Sequence, residues 1–220
     1  MTSLRTQFGA WITGLALLAL PGAAHADLVF DVSVDTSLLI GRIDGSFAID
    51  FVLINGSGTA PGVVTIDNFD FGGGMPTGSP STLGGAGGDL SSSVTLRDTS
   101  FLNNFSQGFS PGTLLRFTVT STTDVDAPIP DRFTFSILDG TGLPIATTDP
   151  TGADALLAFD LTGDRPTIET FGARGFNLGP PTVTIQAVPE PSSLVLFCIG
   201  LPCVLVYARR LPRELPRTGR

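Results

Sequence analysis

Lysine is absent from this chain, and histidine, cysteine, tryptophan and tyrosine are absent from its middle. The single His25 and Trp11 lie before residue 27, and Cys198, Cys203 and Tyr207 lie after residue 190. Each absence removes a chemistry from residues 27–187. Without cysteine there is no disulfide framework, even in a compartment that would permit one. With neither cysteine nor histidine, no thiolate or imidazole zinc site can form. A Ser-His-Asp triad, a cysteine nucleophile and a Schiff-base lysine have no residues to be made from. A sugar-binding face of stacked Trp or Tyr lacks its usual parts, because phenylalanine has the ring without a polar handle. Glutamate occurs once in this stretch, as Glu169, so a hydrolase built from carboxylates would have to rely on aspartate. The stretch therefore reads as a non-enzyme, with no catalytic residue to name.

What is present is acid. Residues 27–187 hold 17 Asp and Glu169 against six arginines, a net charge of −12, whereas 209–220 hold five arginines and Glu214, a net charge of +4. An acidic surface repels nucleic acid, whose phosphates call for basic side chains. It favours solubility and permits divalent cations.

The two ends read as addresses. One arginine (Arg5) precedes an apolar core over residues 8–20, Pro21-Gly22 breaks it, and Ala24-His25-Ala26 supplies small residues around a cleavage point before Asp27. This is the pattern of a secretory signal peptide over 1–26, the substrate of a signal peptidase. At the other end, Val188-Pro189-Glu190-Pro191 leads into the 17 uncharged residues 192–208, then Arg209-Arg210. Such a run is at the short end of what crosses ~30 Å of hydrocarbon. Pro202 within it is tolerable in a membrane helix, and Cys198 and Cys203 read as apolar filling. The basic flank places 212–220 in the cytoplasm and 27–187 across the inner membrane.

Pro-Glu-Pro, apolar helix and arginine cluster, in that order over 188–211, resemble the PEP-CTERM sorting domain of Gram-negative bacteria. The resemblance implies an exosortase, a membrane cysteine protease, that recognises the tail and processes the chain near Pro-Glu-Pro. It also implies a link to exopolysaccharide and biofilm. The same tail occurs on ice-binding proteins, which implies nothing about ice here. Between the ends, Val34-Asp35-Thr36-Ser37-x-Leu39, Thr65-Ile66-x-Asn68-Phe69, Asp98-Thr99-x-Phe101 to Gln107-Gly108 and Thr148-Asp149-Pro150 are similar to a family of PEP-CTERM ectodomains. That resemblance speaks to fold more than to activity.

The middle alternates with period two. Phe47, Ile49, Phe51 and Leu53 interleave with Ala48, Asp50 and Val52. Leu115, Phe117 and Val119, then Phe133, Phe135 and Ile137, then Val183 and Ile185, alternate with polar neighbours. Such alternation marks strands with one buried face. Further strands are expected at 28–34, 63–71, 90–97, 143–148, 155–161 and 166–171. Asn55-Gly56, Asp139-Gly140, Asp149-Pro150-Thr151-Gly152 and Thr162-Gly163-Asp164 punctuate them as turns. Nine or ten short strands in about 160 residues predict an all-β domain, an antiparallel β-sandwich of jelly-roll or Ig-like type over 27–187. The Gly/Ser/Pro-rich 72–88 predicts a long loop. Phe101, Phe105 and Phe109, four apart, predict a short helix over 101–109.

Asp124-Val125-Asp126, Asp67-Asn68-x-Asp70 and Asp160-x-x-x-Asp164 are the densest acid groups. Calcium takes six to eight oxygens from such loops, and Asp124 and Asp126 are the candidate ligands. None of the groups completes an EF-hand pattern. Asn55-Gly-Ser57 and Asn104-Phe-Ser106 match the glycosylation sequon by chance. Two functions fit: an exported surface or matrix structural protein, and a lectin-like module binding exopolysaccharide.

Overall fold

The computed structural model describes residues 28–42, 46–57, 62–122, 128–161 and 166–186. Two antiparallel sheets of six strands form the framework of these residues, so the domain is an all-β sandwich. The strands in chain order are β1 (Leu28–Asp35), β2 (Phe47–Ile54), β3 (Val63–Asp70), β4 (Met75–Leu83), β5 (Gly85–Gly88) and β6 (Val94–Arg97). β7 (Leu102–Ser110), β8 (Leu114–Ser121), β9 (Asp131–Leu138), β10 (Leu157–Leu161), β11 (Thr167–Thr170) and β12 (Thr182–Gln186) follow. One sheet runs β12-β1-β8-β3-β6-β5 and the other β11-β10-β9-β2-β7-β4.

The alternation read in the sequence is the alternation of burial. In β2, Phe47, Ile49, Phe51 and Leu53 are buried while the residues between them are not. Ten phenylalanines lie in one core. Phe51 is their hub, with ring centroids 5.4–6.3 Å from Phe69, Phe105, Phe117, Phe133 and Phe135. Phe69 and Phe117 belong to the opposite sheet, so these ring contacts, offset or edge-on as aromatic quadrupoles prefer, join the two layers. Phe30 on β1 stacks on Phe159 of β10 at 4.5 Å and does the same nearer the sandwich's side.

Three sequence expectations are corrected. Residues 101–109 are strand, not helix: β7 buries Asn103, Phe105, Gln107 and Phe109 in strict alternation, and Phe101 is 76% exposed. A spacing of four is compatible with period two as well as with 3.6, and the backbone of β7 pairs with both β2 and β4. The Gly/Ser/Pro-rich 72–88 is not a loop but β4 and β5. An edge strand tolerates Pro76 and Pro80 because its outer amides need no partner. Residues 143–148 form only two isolated bridges, Leu138 with Pro144 and Thr147 with Ala173, although Ile145 inserts into the core.

The β4–β5 junction closes one side of the sandwich. The chain leaves one sheet at Leu83 and enters the other at Gly85, turning at Gly84 with φ +65°. A Cβ at Gly84 would stand 2.6 Å from the Leu102 carbonyl oxygen and 2.7 Å from Asn103 Oδ1. Only glycine satisfies both the left-handed backbone and the space. Asn103, fully buried, holds the corner from beneath. Its Oδ1 accepts from Gly85 N (2.8 Å) and Ser100 N (3.2 Å), and its Nδ2 donates to Ser100 O (2.7 Å) and Leu53 O (3.2 Å). Four residues along β7, Gln107 plays a like part, accepting from Leu90 N (2.8 Å) and donating to Gly78 O (3.2 Å) and Asp89 Oδ2 (3.1 Å).

Candidate functional site

The residues expected to form the sorting signal, Val188, Pro189, Glu190, Pro191, Arg209 and Arg210, those expected to flank the cleavage point, Ala24, Ala26 and Asp27, and the calcium candidates Asp124 and Asp126 all lie outside the described residues. The expected membrane run 192–208 and Asp164 lie outside them too. What the described residues do show is how the domain uses its acids.

Four aspartates make one local device. Asp35, Asp89, Asp139 and Asp149 each stand two residues before a Ser or Thr, and each Oδ1 accepts the backbone N–H of that residue at 2.8–3.0 Å. For Asp35, Asp139 and Asp149 the hydroxyl of Ser37, Thr141 or Thr151 donates to the same oxygen at 2.6–2.7 Å. These are Asx turns reinforced by a hydroxyl. Hydrogen bonds from the Ser37 hydroxyl and amide hold the Asp35 carboxyl below its usual range. Ser91 does this for Asp89 and Thr141 for Asp139. Burial pushes Asp149 upward, but the Thr151 amide and hydroxyl, the Ala155 amide and the charge of Arg132 outweigh it and lower its pKa. The D-x-[ST] spacing was there to be read, and it accounts for acids that composition left unassigned.

Other acids are also committed. Asp70 Oδ1 accepts from Gly72 N (2.9 Å), and Asp67 Oδ1 accepts from Asn68 Nδ2 (2.9 Å) at a bulge where Asn68 has φ +54°. The Asp67-Asn68-x-Asp70 group is thus a bulge and a turn, with its two carboxylates engaged separately. Arg132 on β9 binds Asp160 of β10 through Nη1 at 2.5 Å and Glu169 of β11 through Nη2 at 2.8 Å. This clamps three adjacent strands. Each partner is roughly a third exposed or more, so such pairs contribute at most about 1 kcal/mol each.

Asp50, half-buried on β2, differs. Desolvation raises its pKa, against a hydrogen bond from Asn104 Nδ2 (2.7 Å). That bond and one from Asn55 Nδ2 to Asp98 O (2.9 Å) occupy the side-chain amides of both glycosylation sequons.

One end of the sandwich gathers two acids. Gly62 N donates to Asp98 Oδ2 (2.7 Å), and Gly56 N donates to Asp131 Oδ1 (2.8 Å). A Cβ built on Gly62 would collide with Asp131 Oδ2 and lie 3.3 Å from Asp98 Oδ2, so both carboxylates converge on this glycine. Thr122 lies close by, its N–H donating to Val63 O (3.1 Å). Among the described residues no three His, Cys, Asp or Glu side chains come together as a metal-binding group.

Compared with models of known protein families, with curated proteins and with solved structures, the chain matches none.

Proposed function

We propose that this chain is an exported structural protein of the cell surface or biofilm matrix. It is delivered through its signal peptide and held in transit by the single membrane helix 192–208 with its C-terminus in the cytoplasm. An exosortase sorts and processes it at Val188-Pro189-Glu190-Pro191 and Arg209-Arg210. The final site is the outer surface or extracellular matrix of a Gram-negative bacterium. The observation that carries the reading is where the domain's reactive inventory goes. Four of its aspartates serve Asx turns, Asp160 and Glu169 serve a strand clamp, and ten of its phenylalanines serve the core. A scaffold of that kind suits persistence outside the cell more than turnover of a substrate. The strand order β1-β8-β3-β6 against β2-β7-β4 favours a jelly-roll winding over an Ig-like one.

Fractionation of cells expressing the full chain and a chain ending at residue 187 tests the sorting role. The full chain is expected at the outer surface or in the matrix, and the shortened one in the periplasm with an unchanged circular dichroism spectrum. Identical fractionation of the two removes the proposal. Calcium enters as a secondary expectation for Asp124 and Asp126. Calorimetry on the full chain at millimolar calcium should give binding heat that Asp124→Asn/Asp126→Asn abolishes, and no heat from the parent chain ends that expectation.

The lectin-like reading has one observation in its favour. Phe101 is 76% exposed, and Leu102 beside it is 39% exposed, which leaves a ring available to stack on a sugar. A glycan array probed with the full chain and with Phe101→Ala decides it. Binding to exopolysaccharide fragments that the variant loses supports that reading, and no binding by the parent chain rejects it.

A further inference from the structure

Among the described residues the sandwich has one closed side and one open side. At the closed side the chain itself passes from sheet to sheet through Gly84. At the other, β1 stacks on β10 through Phe30 and Phe159, and the next strands outward are β12 and β11. The four edges are guarded unequally. β4 carries Pro76, Pro80 and a bulge at Gly78, features that spoil a template for further pairing. β5 has four residues and continues directly from the crossing. β11 has four residues and bears Glu169. β12, Thr-Val-Thr-Ile-Gln, has neither proline nor charge, and four of its five residues are exposed. Ile185 points to the inner face opposite Phe30, yet 52% of it is exposed.

We infer that the open edge of β12 pairs antiparallel with β12 of a second copy of this chain about a two-fold axis at Thr184. The sequence is self-complementary in that register. Thr184 meets Thr184, Val183 meets Ile185 on the inner face, and Thr182 meets Gln186 on the outer face. Apolar thus opposes apolar, polar opposes polar, and no charged residue of β12 meets its copy. The pairing satisfies the outward amides and carbonyls of both strands, covers Ile185 and Val183, and joins two six-stranded sheets into one. A five-residue contact buries far less than a permanent dimer interface. The association is therefore weak and driven by concentration, as inside a crowded matrix.

Disulfide trapping tests the register. In an antiparallel pair, opposed Cα atoms lie about 4.5–5.5 Å apart, within reach of a disulfide. The full chain in detergent, with Cys198→Ala and Cys203→Ala, would carry either Thr184→Cys or, as control, Thr77→Cys on the guarded β4 edge. On mild oxidation, Thr184→Cys is expected to give roughly tenfold more disulfide-linked dimer than Thr77→Cys. Adding Ile185→Lys, with circular dichroism confirming its fold, should cut that yield about as far. Equal yields at the two positions, or a yield insensitive to Ile185→Lys, overturn the inference. So does a Thr184→Cys chain that stays monomeric alone and links only to an unlike polypeptide in the periplasm.

Discussion

Asn103 shows how much one buried side chain can carry. It makes four hydrogen bonds, two on each side of its amide, to β2, to the Ser100 turn and to the β4–β5 corner. Asn103→Leu keeps most of the volume and abandons every partner, and buried unsatisfied groups cost ~1–3 kcal/mol each. The variant is expected to lose about 2–4 kcal/mol in urea denaturation, and a loss under 1 kcal/mol would show that water replaces the amide. Phe51, touching five other rings, should cost about 3–5 kcal/mol as Phe51→Ala. Asp50 works against the fold at neutral pH. Its folded pKa is raised above the ordinary 3.8, so the folded state holds the proton more tightly than the unfolded one. Stability from this residue therefore rises as pH falls through the folded pKa toward 3.8. Asp50→Asn is expected to melt higher than the parent at pH 7, with a smaller gap at pH 4. An equal gap at both values would detach the effect from ionisation.

At the scale of elements, the four Asx turns, three of them reinforced by a hydroxyl, carry the opposite pH sign. Their carboxyls lie below 3.8 in the folded state, so what they contribute is present above that value and is lost as pH falls through the lowered pKa values. Replacing all four by Asn should flatten acid denaturation below about pH 4, as followed by circular dichroism, without changing its course above pH 5. The crossing strand gives a second test. Gly84→Ala is expected to cost about 1–3 kcal/mol, and Gly73→Ala, whose φ of +94° is strained but whose Cβ meets nothing, should cost less. Strands with a buried apolar row, such as β2, β8 and β9, were legible because period two was written in their side chains. β4 was not, because none of its residues is fully buried and its order comes from backbone pairing with β7. β7 was misread because Asn103 and Gln107, polar residues in core positions, broke the pattern that would have distinguished strand from helix.

For the whole molecule, the acidic balance was plain in the sequence, but the employment of the acids was not. A D-x-[ST] turn is local and readable. The convergence of Asp98 and Asp131 on Gly62 joins residues far apart in the chain, and only the pairing of strands brings them together. A charge of −12 on 27–187 leaves long-range repulsion unrelieved. Raising salt from about 10 to 150 mM shortens the screening length from ~30 to ~8 Å, and the melting temperature should rise with it. A salt-independent melting temperature would mean that the acids are neutralised pairwise.

The pairing of first and last strands has a mechanical consequence. Val29 lies opposite Gln186, so the described chain begins and ends at neighbouring points on two antiparallel strands. Tension that draws these two points apart meets the rungs between β1 and β12 singly, as a zipper does, and not all together in shear. β12 peels first, while β1 keeps its eight-residue pairing with β8. A tug on the Gln186 end of the domain would be absorbed by five residues, and the phenylalanine core behind them would not feel it.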